Sequence, residues 1–243
     1  MKTCAAIWTA ISLFACPALA AECEDIAFEK TSFTACRADP TTEDVRLFLK
    51  DDNGDVLGSF NNAAEHIAPN ALAWAMNGGM YHTDRRPVGL YIKNGAQIAP
   101  IVTREGPGNF GLLPNGVLCL TDGGARVFES RTFARTTPDC RDATQSGPML
   151  VIGGALHPRF LPDSDSLNIR NGVGVTPDGM LVAAISNEPV NFHRFARLFR
   201  DVLSTPNALF LDGSISRLYA PGLNRHDAGF PMGPMLGVVT SGN

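Results

Sequence analysis

Glycine-containing turn signals recur along the chain, at Asp52-Asn53-Gly54, Asn94-Gly95, Pro114-Asn115-Gly116, Asp122-Gly123-Gly124 and Pro177-Asp178-Gly179. Each offers residue types that tolerate the left-handed backbone of a tight hairpin, and each separates short apolar or alternating runs. Hairpins this close together force neighbouring strands to pair mostly antiparallel. The runs predict strands near Val45 to Leu49, Leu72 to Met76, Gly89 to Ile92, Phe110 to Leu113, Val117 to Leu120 and Arg126 to Phe128. Further runs lie at Met149 to Ile152, Val173 to Val175, Leu181 to Ile185, Ala208 to Leu211 and Leu236 to Val239. Two segments read as helices instead. Asn61 to Ile67 is short, whereas Asn191 to Leu203 sets Phe192, Phe195, Leu198, Phe199 and Val202 on one face behind an Asn191 N-cap. This helix separates two predicted strands, an order that would place them in parallel. The expected fold class is α+β, a large mixed, mainly antiparallel sheet system with one principal amphipathic helix in a single domain.

The first residues, "MKTCAAIWTAISLFACPALA", carry Lys2, then an apolar run, then Ala18-Leu19-Ala20. That is the layout of a secretory signal peptide, so residues 1–20 are expected to be removed and 21–243 to form the mature domain, periplasmic or secreted. Phe14 beside Cys16 suits a lipoprotein signal poorly. Loss of Lys2 leaves 19 basic against 24 acidic residues, an acidic balance that argues against a nucleic-acid partner. Beyond the signal no apolar run approaches the ~20 residues that span a bilayer. Cys23, Cys36, Cys119 and Cys140 remain. An even number in an exported chain implies disulfides, and proximity favours Cys23 with Cys36 and Cys119 with Cys140 among the three connectivities. No C-x-x-C or neighbouring histidine completes a metal site, and neither a metal nor a cofactor is expected.

Four polar clusters stand at the ends of apolar runs, where a rigid sheet can hold them in one cleft. The first, "AMNGGMYHTDRRPVGL", gives Asn77, Gly78, Gly79 and Tyr81, followed by His82, Asp84, Arg85 and Arg86. The second, "ATQSGPMLVIGG", gives Ser146 and Gly147 but lacks the G-x-S-x-G of an acyl-transferring serine. The third, "NIRNGVGVTPDG", holds Arg170, whose guanidinium fork suits phosphate or carboxylate. The fourth, "LFLDGSIS", places Asp212 where a buried strand meets a loop, with Gly213, Ser214 and Ser216 behind it. Taken singly, Asn77-Gly78-Gly79 and Asp212-Gly213 read as turns. There is no P-loop, dinucleotide fingerprint or H-E-x-x-H.

In their order and spacing these clusters resemble the phosphodiester glycosidase domain family, over roughly Val45 to Val239. The resemblance rests on Asn77-Gly78-Gly79 with Tyr81, Gly89-Leu90, Ser146-Gly147-Pro148, Arg170 with Gly174, the helix from Asn191, and Leu211-Asp212-Gly213. The better-known relatives carry Asp-Gly-Gly-Gly-Ser at the last position. "LDGSISRLYAP" is more similar to a bacterial exported branch of the form L-D-G-x-I-S with a following Y-x-P. The resemblance implies hydrolysis of a sugar-1-phosphodiester at the anomeric carbon. Asp212 would be nucleophile, base or oxocarbenium stabiliser, and Arg170 would neutralise the leaving phosphate. Asn77, Tyr81, Ser146, Ser214 and Ser216 would contact substrate, while Gly78, Gly79, Gly147 and Gly213 would let backbone amides approach it. Two other readings use the same residues: a non-catalytic envelope module that binds glycan or sugar phosphate, and a metal-assisted phosphodiesterase with Asp212 and Asp84 as ligands.

Overall fold

The computed structural model describes residues 21–242, and of Ser214 the main chain only. The expected signal peptide, residues 1–20, lies outside the described residues.

Three sheets carry the fold. The seven-stranded sheet runs in the order Glu22–Phe28, Thr31–Ala38, Leu181–Ser186, Asn171–Val175, Asn207–Phe210, Met149–Ile152, Ala155–Leu156. A five-stranded sheet orders Arg225–His226, Leu218–Ala220, Ala71–Asn77, Met235–Thr240 and Asp44–Phe48. A second five-stranded sheet orders Ala96–Ala99, Tyr91–Lys93, Asp142–Ser146, Gly116–Thr121 and Gly124–Glu129. Every strand pair among the described residues is antiparallel. The strands on either side of the principal helix do run the same way, but Asn171–Val175 lies between them and pairs antiparallel with both.

The main core gathers fully buried residues from all three sheets, among them Trp74, Leu118, Met149, Val173, Leu209 and Leu236. Each helix closes one sheet. Phe192–Arg197, continued by a π-helical turn Leu198–Val202, buries Phe195, Leu198 and Phe199 against Phe33, Val182 and Phe210 of the seven-stranded sheet. Asn191 caps it as expected, its side chain accepting from the Arg194 N–H at 2.9 Å. Phe60–His66 packs Phe60 and Ala63 on Phe48, Leu72 and Met235. Ser130–Thr136 packs Phe133 on Val117 and Cys119. Because the seven-stranded sheet is covered on both faces, Ala208, Leu209, Phe210 and Leu211 are all buried, which is why that strand reads as an unbroken apolar run. Disulfides join Cys23 to Cys36, directly opposite in a hairpin, and Cys119 to Cys140.

One predicted strand is absent. Residues 110–113 form turns, the Phe110 carbonyl accepting from Asn115 Nδ2 at 3.1 Å rather than from a neighbouring strand.

Candidate active site

Strand Ala71–Asn77 ends with Asn77 fully buried. Its side-chain amide donates to the Asp212 carbonyl at 2.7 Å, and its Oδ1 accepts from Asn171 Nδ2 and from the Arg217 N–H, each at 2.9 Å. Asn171 Oδ1 lies 3.3 Å from Ser216 Oγ, whose proton also reaches the Ile169 carbonyl at 3.0 Å. The Asp212 N–H donates to the Gly78 carbonyl at 3.2 Å. The loop that carries Asp212 is thus tied on both sides: to the end of Ala71–Asn77 and to the start of Asn171–Val175. Asp212 itself is only 9% exposed.

Tyr81 borders this loop. Its ring packs so closely on Gly233 that a Cβ there would collide with it, and its hydroxyl donates to the Pro231 carbonyl at 3.5 Å. Burial, then the negative charge of Asp212, pushes the Tyr81 phenol above its ordinary pKa, while Arg85 and Arg217 oppose the shift. Asp212, Arg85 and Arg217 therefore all act on Tyr81, which stays a neutral donor at physiological pH. The Arg85 guanidinium carbon lies 5.4 Å from the ring centroid, and Arg217 Nη1 donates to the Phe230 carbonyl at 2.6 Å.

Ser146 ends the strand Asp142–Ser146 and is fully buried, its Oγ without a hydrogen-bond partner among the described residues. The segment is brought alongside the Asp212 strand because the Phe210 N–H donates to the Pro148 carbonyl at 3.1 Å. The glycines of the motifs are explained by contacts inside the protein. A Cβ at Gly79 would strike Thr144 and the Gln145 carbonyl, one at Gly147 would strike Asn115, and one at Gly213 would strike the Phe210 ring. The Gly78 amide donates to the Pro234 carbonyl at 2.7 Å.

Arg170 is buried directly before strand Asn171–Val175. It is 1% exposed, with Nε donating to the Val190 carbonyl and Nη2 to the Ser166 carbonyl, both at 2.8 Å. Its guanidinium lies 3.6 Å from the Phe192 ring centroid and 5.6 Å from that of Phe210. Burial, acting alone, pushes its pKa down to about 10, so it stays charged at neutral pH. The Phe210 ring touches Gly213 as well, and so stands beside both Arg170 and the Asp212 loop. Asp84 is exposed and ion-paired with Arg86 at 2.6 Å. Glu188, another strand-end carboxylate, is exposed and accepts from the Ser32 N–H at 3.3 Å.

The residues that sequence reasoning missed are Asn171 and Arg217. Each stands next to a residue it singled out, Arg170 and Ser216, and only the tertiary bonds to Asn77 reveal the connection.

Residues 70–239, a stretch that includes Asn77, Ser146, Arg170 and Asp212, match the family model described as phosphodiester glycosidase. The chain belongs to the phosphodiester glycosidase family. It is 34% identical over 219 residues to the uncharacterized protein YigE of Escherichia coli K12, covering 89% of this chain and 85% of the relative. Among solved structures, it is similar to the catalytic domain of zebrafish N-acetylglucosamine-1-phosphodiester alpha-N-acetylglucosaminidase, auto-inhibited by its pro-peptide. The TM-score is 0.63 at 15% identity, with 89% of this chain and 81% of that one covered. A hypothetical protein from Synechocystis matches with a TM-score of 0.59 at 14% identity, over 90% of this chain and 61% of that one. At these identities the solved structures bear on the fold.

Proposed function

We propose that this protein is an exported hydrolase that cleaves the bond between an anomeric carbon and phosphate in a sugar-1-phosphodiester of envelope or extracellular glycans. The observation that carries this reading is the fixing of the Asp212 main chain by Asn77 and Gly78, with the charge of Asp212 acting on the Tyr81 phenol, Arg85 over its ring and the charge of Arg217 opposing that of Asp212 there. Family membership and the activity named for the zebrafish relative support it. Export is supported by the signal-like residues 1–20 and by two disulfides, which suit an oxidising compartment. Among the described residues no helix is long and apolar enough to cross a membrane.

In the reaction the C1–O bond breaks and water supplies the new anomeric hydroxyl, leaving a phosphate monoester. That leaving group has a second pKa near ~6, so its departure needs far less protonation than that of an alcohol. One carboxylate with cationic neighbours is then a sufficient set. Asp212 stabilises or attacks the oxocarbenium-like centre. Arg217, with Arg85, offsets charge growing on the phosphate, and the neutral Tyr81 hydroxyl donates to it by turning from its long 3.5 Å bond to the Pro231 carbonyl. Arg170 holds Phe192 and Phe210 behind the Asp212 loop and acts through position. Ser146 and Ser216 remain candidates for contact with the sugar.

The test is hydrolysis of a panel of synthetic sugar-1-phosphodiesters in 18O-labelled water. Label in the released reducing sugar supports the glycosidase reading. Label in the phosphate monoester would make the protein a phosphodiesterase, and no turnover on any compound would leave the glycan-binding module as the better reading. That module is favoured by one observation, the commitment of Arg170 to protein carbonyls.

A further inference from the structure

Among the described residues, strand Asp44–Phe48 is the outer strand of its sheet, paired only with Met235–Thr240. Its free edge is met by side chains from the other five-stranded sheet rather than by a strand. Arg141 Nη2 donates to the Val45 carbonyl, and Lys93 Nζ to the Leu47 carbonyl at 2.8 Å. Both cations are held from behind by Asp142, which is 1% exposed: Arg141 Nε is 3.2 Å from Oδ2 and Lys93 Nζ 3.5 Å from Oδ1. A cleft of about 510 Å³ opens over this framework. Asp142 begins the strand that ends at Ser146, so the cleft and Ser146 stand at opposite ends of a strand ~13 Å long, and Asp212 is not among the cleft's lining residues.

The charges of the lining cancel. Arg46, Lys50, Lys93 and Arg141 stand against Asp44, Asp51, Asp52 and Asp142, and three of the four cations are already ion-paired, Arg46 with Asp44 and the others with Asp142. At Arg46, Lys93 and Arg141 an anion would have to displace a carboxylate, and Lys50 shares the lining with Asp51 and Asp52. No cluster of His, Cys, Asp or Glu able to hold a metal ion occurs among the described residues. What the cleft presents is a set of fixed donors and acceptors with no charge surplus, plus an apolar wall at Ile98, which is 58% exposed. A sugar matches such a surface, having hydroxyls that donate and accept and a C–H face that packs on apolar groups. Tyr91 lines the same cleft at 1% exposure, and its hydroxyl has no hydrogen-bond partner among the described residues. Buried polar groups are seldom left unpaired; this one is closed to solvent in the cleft wall, and pairing it with a ligand hydroxyl requires the side chains over it to part.

We propose that this cleft is a second, non-catalytic binding site for a neutral saccharide. It stands apart from Asp212 and does not depend on the activity proposed there. The test is calorimetric titration of the mature protein with maltotriose, N,N′-diacetylchitobiose and inorganic phosphate, in wild type and in Tyr91→Phe, Arg46→Ala and Asp212→Asn. Saturable binding of a saccharide is expected, with both cleft variants weakening it by about 5-fold or more, the scale of one or two hydrogen bonds. Asp212→Asn should leave the affinity unchanged. Tyr91→Phe removes a hydroxyl that has no partner, so its folding should be intact and a lost affinity assignable to the site. Absence of saccharide binding, affinity unaltered by both cleft variants, or binding of phosphate in their place would overturn the proposal.

Discussion

Arg170 directly precedes strand Asn171–Val175 and Arg217 directly precedes strand Leu218–Ala220, in opposite surroundings. Arg170 is enclosed by aromatic rings and two main-chain carbonyls, and burial alone lowers its pKa. Arg217 is partly open, tied through its backbone to Asn77 and through its side chain to the Phe230 loop, and its charge reaches Tyr81. Arg170 commits Nε and Nη2 to main-chain carbonyls under an aromatic cover, whereas Arg217 commits Nη1 to one carbonyl at the surface, and it is Arg217 that we propose for the reaction. Arg170 lies between Ile169 and a strand, and that apolar context is matched by its 1% exposure.

The contrast can be broken in several places. The largest effect is expected from Asp212→Asn, which should lower kcat on a sugar-1-phosphodiester by about 10³-fold or more, with the melting temperature nearly unchanged. Arg170→Met should act on the other quantity: urea unfolding should show a loss of about 2–4 kcal/mol from the emptied, unpaired carbonyl sites, while kcat of the folded fraction stays within about threefold of wild type. Equal losses of activity for Arg170→Met and Asp212→Asn would erase the distinction. Arg217→Met should reduce kcat/KM by about 10–50-fold if it offsets phosphate charge, and should leave stability within about 1 kcal/mol. Ser146→Ala should be neutral or slightly stabilising in denaturant melts, because a hydroxyl buried without a partner carries a cost of about 1 kcal/mol or more. A rise in KM in that variant would place Ser146 against the sugar.

The smallest effect concerns pH. His157 is buried with Nε2 donating to the Leu113 carbonyl at 3.1 Å and Nδ1 accepting from the Arg159 N–H, and burial lowers its pKa. The neutral ring is favoured in the fold, so unfolding takes up a proton below the ordinary histidine pKa of about 6.5. Stability should be at its plateau above that pH and decline as pH falls below it toward the depressed folded value. A His157→Gln melting series should lose this component of the slope below about pH 6.5.

What could be read in the sequence follows from where its signals are local. The strand from Asn207 and the Asn191-capped helix announced themselves through an unbroken apolar run and a 3.6-residue stripe. The N-terminal hairpin gave no such signal. Its turn is Glu29-Lys30, both at positive φ with no glycine, and its first strand, ECEDIAF, is acidic and largely exposed. Helix Ser130–Thr136 was hidden by a Glu129 cap and by resting on Phe133 as its one large buried anchor. At the site, Asn77 and Asp212 were marked by their motifs. Asn171 and Arg217 were not, because their importance lies in bonds between strands far apart in the chain. The glycines were rightly noticed, but they serve close packing against Thr144, Asn115 and Phe210.

The assignment of Asp212 is tested most directly by chemical rescue. In Asp212→Ala, a sugar-1-phosphodiester should turn over about 10³-fold more slowly than in wild type, and added azide or formate should restore the rate by about 10-fold or more by supplying the missing nucleophile or base. Turnover by Asp212→Ala at close to the wild-type rate, with no response to azide or formate, would contradict the account.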